Sequence, residues 1–340
     1  MWYYRQIPWV DVVGVAHHRP GHAQSFIEQV HLPHARAFDD YREMLAESDL
    51  DAVSICTPNM VHRDPAVDAF RAGKHVLLEK PMAVVLDDAR DIVRASRASG
   101  KILMVSLQTA FSAQFTVARQ VVESGALGDI YYAEAIAFRR WGTPGGPFLK
   151  KATAGAGALV DTGVYALHTA VSLMGNPRPL TVSATMNNHV SRAARGVMRR
   201  DRFTWRAEDV EVEDFAAAFV RFDNGAVMVL KACWAANADS LGRPLLLGTK
   251  GGMALNPEGV VPPVELYFNQ QLGGLNLTVV PQELPEVDAW AAKMTAFAEA
   301  VRDDGPSPID PQGVFLTNVI MDGVLRSAQS GSEVKVDATC

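Results

Sequence analysis

A lysine followed by proline stands directly after a short apolar run that is typical of a buried strand. The run is His75–Leu78, and the residues that follow it are Glu79-Lys80-Pro81. Pro81 keeps Lys80 out of the α region and permits a cis peptide bond, so the lysine is held in an extended geometry. A lysine in this position can hydrogen-bond a substrate hydroxyl or relay its proton. The alternative is an ordinary solvated lysine in a turn.

A second set of polar residues recurs at helical spacing in the segment 158–174. These residues are Asp161, Tyr165, His168 and Ser172. Their spacing places them on one face of a helix, and that face contains Tyr and His but no Glu or Lys. We expect Asp161, Tyr165 and His168 to line a cleft as an acid/base set, with Lys80 nearby to lower the pKa of Tyr165. The alternative is an amphipathic helix whose polar face meets only water.

The first third of the chain alternates apolar runs with amphipathic stretches, which predicts parallel strands joined by helices. The predicted strands are Val10–Ala16, Ala52–Cys56, His75–Leu78 and Ile102–Val105, and the predicted helices cover 21–30, 40–47, 62–72 and 87–99. Gly73 and Gly100 are expected to end helices. This pattern is typical of an α/β, Rossmann-like doubly wound parallel sheet, in which ligands bind beyond the carboxyl ends of the strands.

The rest of the chain has a different texture and predicts an α+β domain with an open, mostly antiparallel sheet and helices on one face. Helices are expected at 114–124, 158–174, 288–303 and 313–329, and extended segments at 130–140, 180–186, 211–222 and 226–234. Asp223-Asn224-Gly225 is a strong hairpin turn between the last two of these segments. The polar and basic residues 188–208 predict an exposed loop. The predicted domains are 1–107 and 108–340.

Composition narrows the class of protein. The chain has 340 residues, 48% of them hydrophobic, and a formal net charge of −6. This length fits two domains, and a mildly acidic chain without basic blocks argues against nucleic acid as a partner. No apolar run is long enough for a membrane span, and the start has no signal-peptide core. Three cysteines without a CxxC pair suit a reducing cytoplasm, and no ligand spacing suggests a metal site.

Several motifs, in order and spacing over nearly the whole chain from Val10, resemble the Gfo/Idh/MocA oxidoreductases. They are Cys56-Thr57-Pro58-Asn59 with His62, the run Ala72 to Met82, Ser124 to Gly128, Gly155 to Val164, and Arg326 to Gly331. The resemblance implies a Rossmann domain and an α+β domain whose sheet mediates oligomerisation, giving a homodimer or homotetramer. It also implies nicotinamide-dependent redox chemistry at a hydroxyl-bearing carbon of a sugar or cyclitol.

The resemblance also assigns residues. Lys80 matches the catalytic lysine and Asp161 the aspartate of the acid/base network. Tyr165 stands where many members have a catalytic histidine, and resembles the tyrosine proton donor of the glucose–fructose oxidoreductase and dihydrodiol dehydrogenase branches. His168 is given a lesser role in binding substrate. The residues assigned to the cofactor are Thr57, Pro58 and Asn59 at the nicotinamide ribose, together with His62, Glu79, Lys80 and Gln108. The arginine usual two positions after Gln108 is Ala110 here.

The start of the chain departs from the family pattern. Members open with a strand, a GxGxxG turn and a helix, whereas Met1 to Ala16 resembles the end of that helix followed by the second strand. No other segment replaces the glycine turn that holds the cofactor pyrophosphate. The missing strand would be central in a 3-2-1-4-5-6 sheet and would leave unpaired edges in the core. Our hypothesis is that about 20 residues precede Met1, the length of one strand, turn and helix start.

The end of the second family strand bears on the choice of cofactor. An NAD enzyme places Asp or Glu there for the ribose 2′-hydroxyl, whereas this chain has His17-His18-Arg19. Cationic groups favour a 2′-phosphate, so the sequence predicts NADP or NAD with a lean towards NADP. The alternative is that these residues simply lie at the surface. Further candidates for substrate contact are Arg139, Arg140, Trp141, Lys150 and Lys151.

Two classes of function remain open at this point. The first is an NAD(P)-dependent oxidoreductase that moves a hydride between nicotinamide and a hydroxyl-bearing carbon of a sugar or polyol, with Lys80 and Tyr165 in proton transfer. The second is a non-catalytic family member that acts as a sugar-binding or oligomer-partner subunit. Retention of Lys80, Asp161 and Tyr165 favours the enzyme, and absence of the glycine turn favours the subunit.

Overall fold

The computed structural model describes residues 2–47, 49–140, 142–193, 198–200, 203–256, 261–272, 274–281 and 283–340. Trp141, a predicted substrate contact, lies outside the described residues. The helices are α1 (His22–Gln29), α2 (Tyr41–Leu45), α3 (Arg63–Arg71), α4 (Leu86–Ser99), α5 (Ala113–Glu123), α6 (Lys151–Ala154), α7 (Val164–Leu173), α8 (His189–Arg192), α9 (Ala289–Arg302) and α10 (Pro311–Ser330).

The strands fall into a parallel group near the start and a long mixed sheet after it. The first group is β1 (Gly14–Ala16), β2 (Arg36–Phe38), β3 (Ala52–Ile55), β4 (His75–Glu79) and β5 (Leu103–Ser106). The others are β6 (Ile130–Phe138), β7 (Pro179–Asn187), β8 (Met198–Arg200), β9 (Phe203–Trp205), β10 (Phe215–Phe222), β11 (Val227–Cys233), β12 (Leu245–Gly248), β13 (Gly252–Leu255), β14 (Val264–Leu272), β15 (Leu275–Val279) and β16 (Val334–Lys335).

The Rossmann-like part is confirmed, but its parallel strands form two sheets rather than one. β1 pairs with β2, and β3, β4 and β5 pair in that order, all in parallel. Within the described ranges no strand ladder joins β1 to β3. A cleft of about 2530 Å³ lies at this break and is lined by residues of β1, β3 and α9. The predicted unpaired edges therefore border a large cleft.

The strands of the larger group form a nine-stranded sheet, in the order β15-β14-β13-β12-β6-β11-β10-β7-β16. The pairing of β6 with β11 is parallel and the other ladders of this sheet are antiparallel, as the α+β prediction required. The turn at Asp223-Asn224-Gly225 joins β10 to β11, with φ of +83° at Gly225. Helices α7 and α10 pack against this sheet and bury most of the apolar face of α10.

The segment 188–208 is not the exposed loop that its polarity predicted. It contains α8 and the paired strands β8 and β9, and within it Ser191 and Trp205 are only 1% and 2% exposed. Strands β2, β12, β13, β14, β15 and β16 were also not predicted. Most of these are short, so tertiary pairing rather than a long apolar alternation determines them.

The glycine-rich loop before α7 is held by one buried glutamate. Glu213 accepts hydrogen bonds from the backbone N–H groups of Gly157 (2.8 Å) and Leu159 (3.0 Å). Its own carbonyl accepts a bond from Ala158 N–H at 3.1 Å. The π-helical turn Leu159–Gly163 begins at this point and leads into α7. Glu213 therefore determines where the predicted acid/base helix starts.

His168 does not line a cleft, contrary to the prediction from helical spacing. Its ring is 5% exposed and stacks on Phe115, with 6.3 Å between the ring centroids. Among the described residues Nδ1 has no hydrogen-bond partner, and burial lowers the pKa of His168 to about 4. The predicted stripe therefore does not share one environment: Asp161, Tyr165 and Ser172 are partly buried, whereas His168 faces the core.

Substitution of Gly157 by alanine should destabilise the protein. A Cβ at this position would lie 1.9 Å from the carbonyl oxygen of Glu213, which is backbone and cannot rotate away. We expect Gly157→Ala to lower the free energy of unfolding by about 1–3 kcal/mol or more, as forced overpacking does. Urea denaturation measures this. The matched control is Gly305→Ala, whose Cβ would meet nothing closer than 3.8 Å; equal losses in the two variants would contradict the prediction.

The buried ring of His168 should make the fold sensitive to acid. Its pKa of about 4 lies below the ordinary value of 6.5, so the unfolded chain takes up the proton first as the pH falls. The contribution of His168 to the free energy of unfolding is therefore complete above pH 6.5 and is lost as the pH falls to 4. At about 1.4 kcal/mol per pKa unit, we expect the wild type to lose on the order of 3 kcal/mol more than His168→Leu over this range. Urea denaturation between pH 7.5 and pH 4 (roughly the titration window of His168) checks this. His34→Leu, at an exposed histidine, should instead follow the wild type.

Candidate active site

Lys80 follows strand β4 directly and contacts a residue of the second domain. The strand is buried along its length up to Glu79, and the Lys80-Pro81 peptide bond that follows is cis. Lys80 Nζ donates to Asp161 Oδ1 at 2.8 Å and to the Asp161 carbonyl oxygen at 2.7 Å. Both side chains are 15% exposed. The expected proximity of Lys80 and Asp161 is therefore present, across 81 residues of sequence.

Asp161 is fixed from a second side by a residue that sequence reasoning missed. Trp234 is fully buried, and its indole Nε1–H donates to Asp161 Oδ2 at 2.9 Å. Arg139 lies at the same oxygen at a longer distance of 3.9 Å. Trp234 directly follows β11, and a polar-tipped aromatic at a strand end was the one available signal. The carboxylate thus has a different donor on each oxygen.

Tyr165 lies one helical turn after Asp161, and its pKa is raised, not lowered as predicted. Lys80 Nζ sits 5.2 Å from the centre of the tyrosine ring, over its face. Burial raises the pKa of Tyr165 to about 12, with further increases from the charges of Glu79 and Asp161 and a decrease from a hydrogen bond with Gln108. The prediction was wrong because desolvation outweighs the cation, whose charge is already matched by Asp161. At neutral pH Tyr165 therefore keeps its proton.

The loops after β3 and β4 are tied to each other by His62. Its two ring nitrogens lie 2.9 Å and 3.0 Å from the carbonyl oxygens of Pro81 and Thr57, and the ring is 1% exposed. Asn59 donates to the carbonyl of Ala154 at 3.0 Å, which joins the same loop to the second domain. His62 therefore links the two loops through hydrogen bonds to their backbones. Burial lowers the pKa of its ring.

The side chains of Glu79 and Gln108 both reach residues of the site. Glu79 accepts from the Ser106 hydroxyl at 2.8 Å and from the Lys80 N–H at 3.3 Å. Gln108 contacts Tyr165, and its Oε1 is buried without a hydrogen-bond partner in the described part of the chain. Contact of either residue with a cofactor stays a prediction.

The other predicted substrate contacts are less close to Asp161. Arg140 pairs with Asp239 on the surface, and Lys150 pairs with Glu211 at 3.1 Å. The backbone N–H of Lys151 donates to Glu211. Among the other candidates that the structure describes, only Arg139 forms an ion pair with Asp161. His168 lies in the core.

The cleft at the break between the parallel sheets is lined by most of the residues that were predicted to bind the cofactor. Its lining includes His17, His18 and Arg19, which follow β1, and Thr57, Pro58 and Glu79 from the ends of β3 and β4. The rings of His18 and His22 stack against His17, with centroids 4.8 Å and 4.9 Å away. Ligands of doubly wound folds bind at the carboxyl ends of the strands, where these residues stand. Within the described residues no glycine-rich turn joins these two groups.

The described residues contain neither a candidate membrane-spanning helix nor a cluster of metal-ligating side chains. None of the helices described is both long and apolar enough to cross a membrane. No group of three or more His, Cys, Asp and Glu side chains in that part of the chain is arranged to hold a metal ion.

Comparison with known families agrees with the observed fold. Residues 2–107 match the oxidoreductase family with an NAD-binding Rossmann fold, and residues 115–254 match the GFO/IDH/MocA C-terminal domain. A crystal structure of aldose-aldose oxidoreductase from Caulobacter crescentus, complexed with glycerol, superposes with a TM-score of 0.73 at 26% identity, over 95% of this chain and 91% of that one.

Two curated proteins are similar in sequence. D-glucoside 3-dehydrogenase of Escherichia coli is 28% identical over 331 residues, which cover 96% of this chain and 90% of the relative. The scyllo-inositol 2-dehydrogenase (NADP(+)) of Bacillus subtilis is 34% identical over 153 residues, which cover 42% of this chain and 45% of the relative. The chain belongs to the Gfo/Idh/MocA family and is an NAD(P)-dependent dehydrogenase whose cofactor is NAD or NADP.

Proposed function

We propose that this dehydrogenase acts on a hydroxyl-bearing carbon of a sugar or cyclitol, with Lys80 and Tyr165 handling the hydroxyl proton and Asp161 orienting them. The observation that carries the proposal is the contact of Lys80 Nζ with both Asp161 Oδ1 and the Asp161 carbonyl, beside the ring of Tyr165. A cation at a strand end and a phenol on the facing helix are groups that can polarise a carbonyl oxygen and supply its proton.

The direction of proton movement follows from the protonation of Tyr165. With a pKa of about 12, the phenol is a proton donor at neutral pH, which suits reduction of a carbonyl to an alcohol. In the reverse direction the acceptor of the hydroxyl proton is the phenolate form of Tyr165, a small fraction at neutral pH that grows as the pH rises, while the Lys80 ammonium stabilises the developing alkoxide. When bound, the nicotinamide supplies or accepts the hydride. Thr57, Pro58 and Glu79 would hold its riboside end, since they line the cleft beside Lys80.

The substrate class is supported by the names of the relatives and by the charge of the site. Glucosides and inositol, in the names of two relatives, are rings that carry several hydroxyl groups. The carboxylate of Asp161, the ammonium of Lys80 and the guanidinium of Arg139 are donors and acceptors suited to such groups. A homodimer or homotetramer in the cytoplasm is part of the same proposal.

Loss of either proton-handling group should lower turnover without unfolding the protein. We expect Lys80→Met and Tyr165→Phe each to reduce kcat by about 10²–10⁴-fold, the range for general acid–base groups. The assay follows NADPH or NADH absorbance with a panel of glucosides, free aldoses and inositols. Lys335→Met and Tyr131→Phe are matched controls at exposed positions outside the site. Full activity of Tyr165→Phe would remove tyrosine from the mechanism.

The non-catalytic alternative makes a separate prediction. A sugar-binding or partner subunit would not bind the reduced cofactor, whereas the dehydrogenase should bind it in the cleft and quench protein fluorescence. Titration with NADPH distinguishes the two, because saturable binding supports the enzyme and no binding by this chain supports the subunit.

We propose further that the cofactor is NADP. Three histidine rings stack beside Arg19 in the lining of the cleft, and the backbone N–H of Arg19 donates to His17 Nδ1 at 3.0 Å. No acidic residue follows β1 in the sequence Ala16-His17-His18-Arg19, where an NAD enzyme needs one.

Arg19 should discriminate between the two cofactors. A guanidinium can bind a 2′-phosphate through charge-assisted hydrogen bonds, so we expect Arg19→Ala to weaken NADP binding about tenfold and to leave NAD binding nearly unchanged. Calorimetric titrations with both cofactors measure this, with Arg326→Ala as the surface control. Tighter binding of NAD than NADP by the wild type would contradict the proposal.

A further inference from the structure

A second lysine is buried beside the site, and the mechanism proposed above does not use it. Lys293 belongs to α9, and only 2% of its surface is exposed. Its Nζ lies 4.1 Å from the centre of the Trp290 ring. A buried ammonium needs hydrogen-bond or charge partners to offset the lost hydration.

The partner of Lys293 leads directly to the residue before Lys80. Lys293 Nζ donates to Ser106 Oγ at 2.5 Å, and the same hydroxyl donates to Glu79 Oε1 at 2.8 Å. Glu79 and Ser106 are register partners at the ends of β4 and β5. The other carboxylate oxygen, Oε2, accepts the Lys80 N–H at 3.3 Å. A continuous set of contacts therefore runs from α9 to Lys80.

The charge on Glu79 lacks a direct counterion. In the described ranges no side-chain nitrogen of Lys, Arg or His lies within 4.0 Å of its carboxylate, because the Lys80 ammonium is turned towards Asp161. The titratable groups whose pKa is affected by the charge of Glu79 are Lys293, His62, Cys56, Tyr4 and Tyr165. Among them Lys293 is the ammonium, whereas burial lowers the pKa of His62 from its ordinary value of 6.5 and keeps its ring neutral at pH 7. The Lys293 ammonium is thus the charge that compensates Glu79, through the hydroxyl of Ser106.

We propose that Lys293 is a positioning residue for the dehydrogenase reaction: through Ser106 it holds and compensates the Glu79 carboxylate, and so sets the charge around Tyr165 and the orientation of Lys80. The proposal rests on the roles proposed for Lys80 and Tyr165. Glu79 is a negative charge that raises the pKa of Tyr165, so the uncompensated carboxylate would raise it further. Lys293 has no contact with Tyr165 or Lys80 and would act only through Glu79.

The first test is the pH profile of sugar oxidation. Oxidation needs Tyr165 to accept a proton, so kcat/KM rises with pH along a limb set by this group. In Lys293→Met this limb should move to higher pH by about half a unit or more, and kcat/KM below the limb should fall about threefold or more. Adding Glu79→Gln removes the uncompensated charge and should return the limb towards the wild-type position. Lys335→Met is the surface control.

The second test reads Tyr165 without turnover. The full chain is labelled with fluorotyrosine, whose lower pKa brings the titration into a usable range, and the Tyr165 signal in the ¹⁹F NMR spectrum is assigned by its loss in Tyr165→Phe. Its titration midpoint should rise in Lys293→Met and return in the double variant, whether or not a sugar is the substrate. A midpoint that moves while no sugar is turned over would refute the proposed function and support the role of Lys293.

Ser106→Ala keeps the charges of Lys293 and Glu79 and removes only the hydroxyl between them. It is therefore the variant to test if Lys293→Met does not fold. Its midpoint should rise by less than that of Lys293→Met. If Lys293→Met and Ser106→Ala lower the melting temperature but leave the Tyr165 midpoint and the pH limb in place, Lys293 is only structural and the proposal is wrong.

Discussion

The pair of Lys80 and Asp161 is the interaction on which the site depends. It joins the end of a parallel strand to a π-helical turn of the second domain, in surroundings where both side chains are 15% exposed. Removing two charges from water costs several kcal/mol per ion unless other donors and acceptors complete the set. Here Lys80 Nζ has two acceptors on Asp161, and the remaining carboxylate oxygen has Trp234. The pair is therefore stable only if both domains hold their backbones in place.

The surrounding structure holds those backbones mainly with buried polar side chains bonded to main-chain atoms. Glu213 fixes the start of the turn that carries Asp161, and His62 fixes the loop that follows Lys80. Asn59 joins the first domain to the carbonyl of Ala154 just before that turn. Each of these bonds replaces a lost bond to water, so each contributes little net stability but is costly to break. Their effect is to restrict the relative positions of the reacting groups.

Local sequence patterns predicted which residues lie together at the candidate site, but they did not predict what surrounds those residues. Lys80 was found from the strand end and the following proline, and Asp161 and Tyr165 from helical spacing, because both signals are local. Long-range hydrogen bonds surround the site: Trp234, Glu213 and Lys293 are 73, 56 and 187 residues away in sequence from the residues that they bond. A local sequence period cannot predict such contacts. The pKa of Tyr165 was predicted in the wrong direction since burial is a tertiary property. The position of His168 was wrong for the same reason, as helical spacing does not say which neighbour covers a face.

Glu79 and Lys80 are neighbours in sequence but lie in different surroundings. Successive side chains at a strand end point to opposite sides, so the two neighbours face different surroundings. Glu79 lines the cleft between the parallel sheets, whereas Lys80 turns towards Asp161. The end of β4 thus separates the cleft from the Lys80–Asp161 pair by one peptide unit. The charge of Glu79 nevertheless raises the pKa of Tyr165, because partly buried charges are weakly screened. Charges at the end of this one strand therefore act on two residues of the second domain, Lys80 on Asp161 and Glu79 on Tyr165.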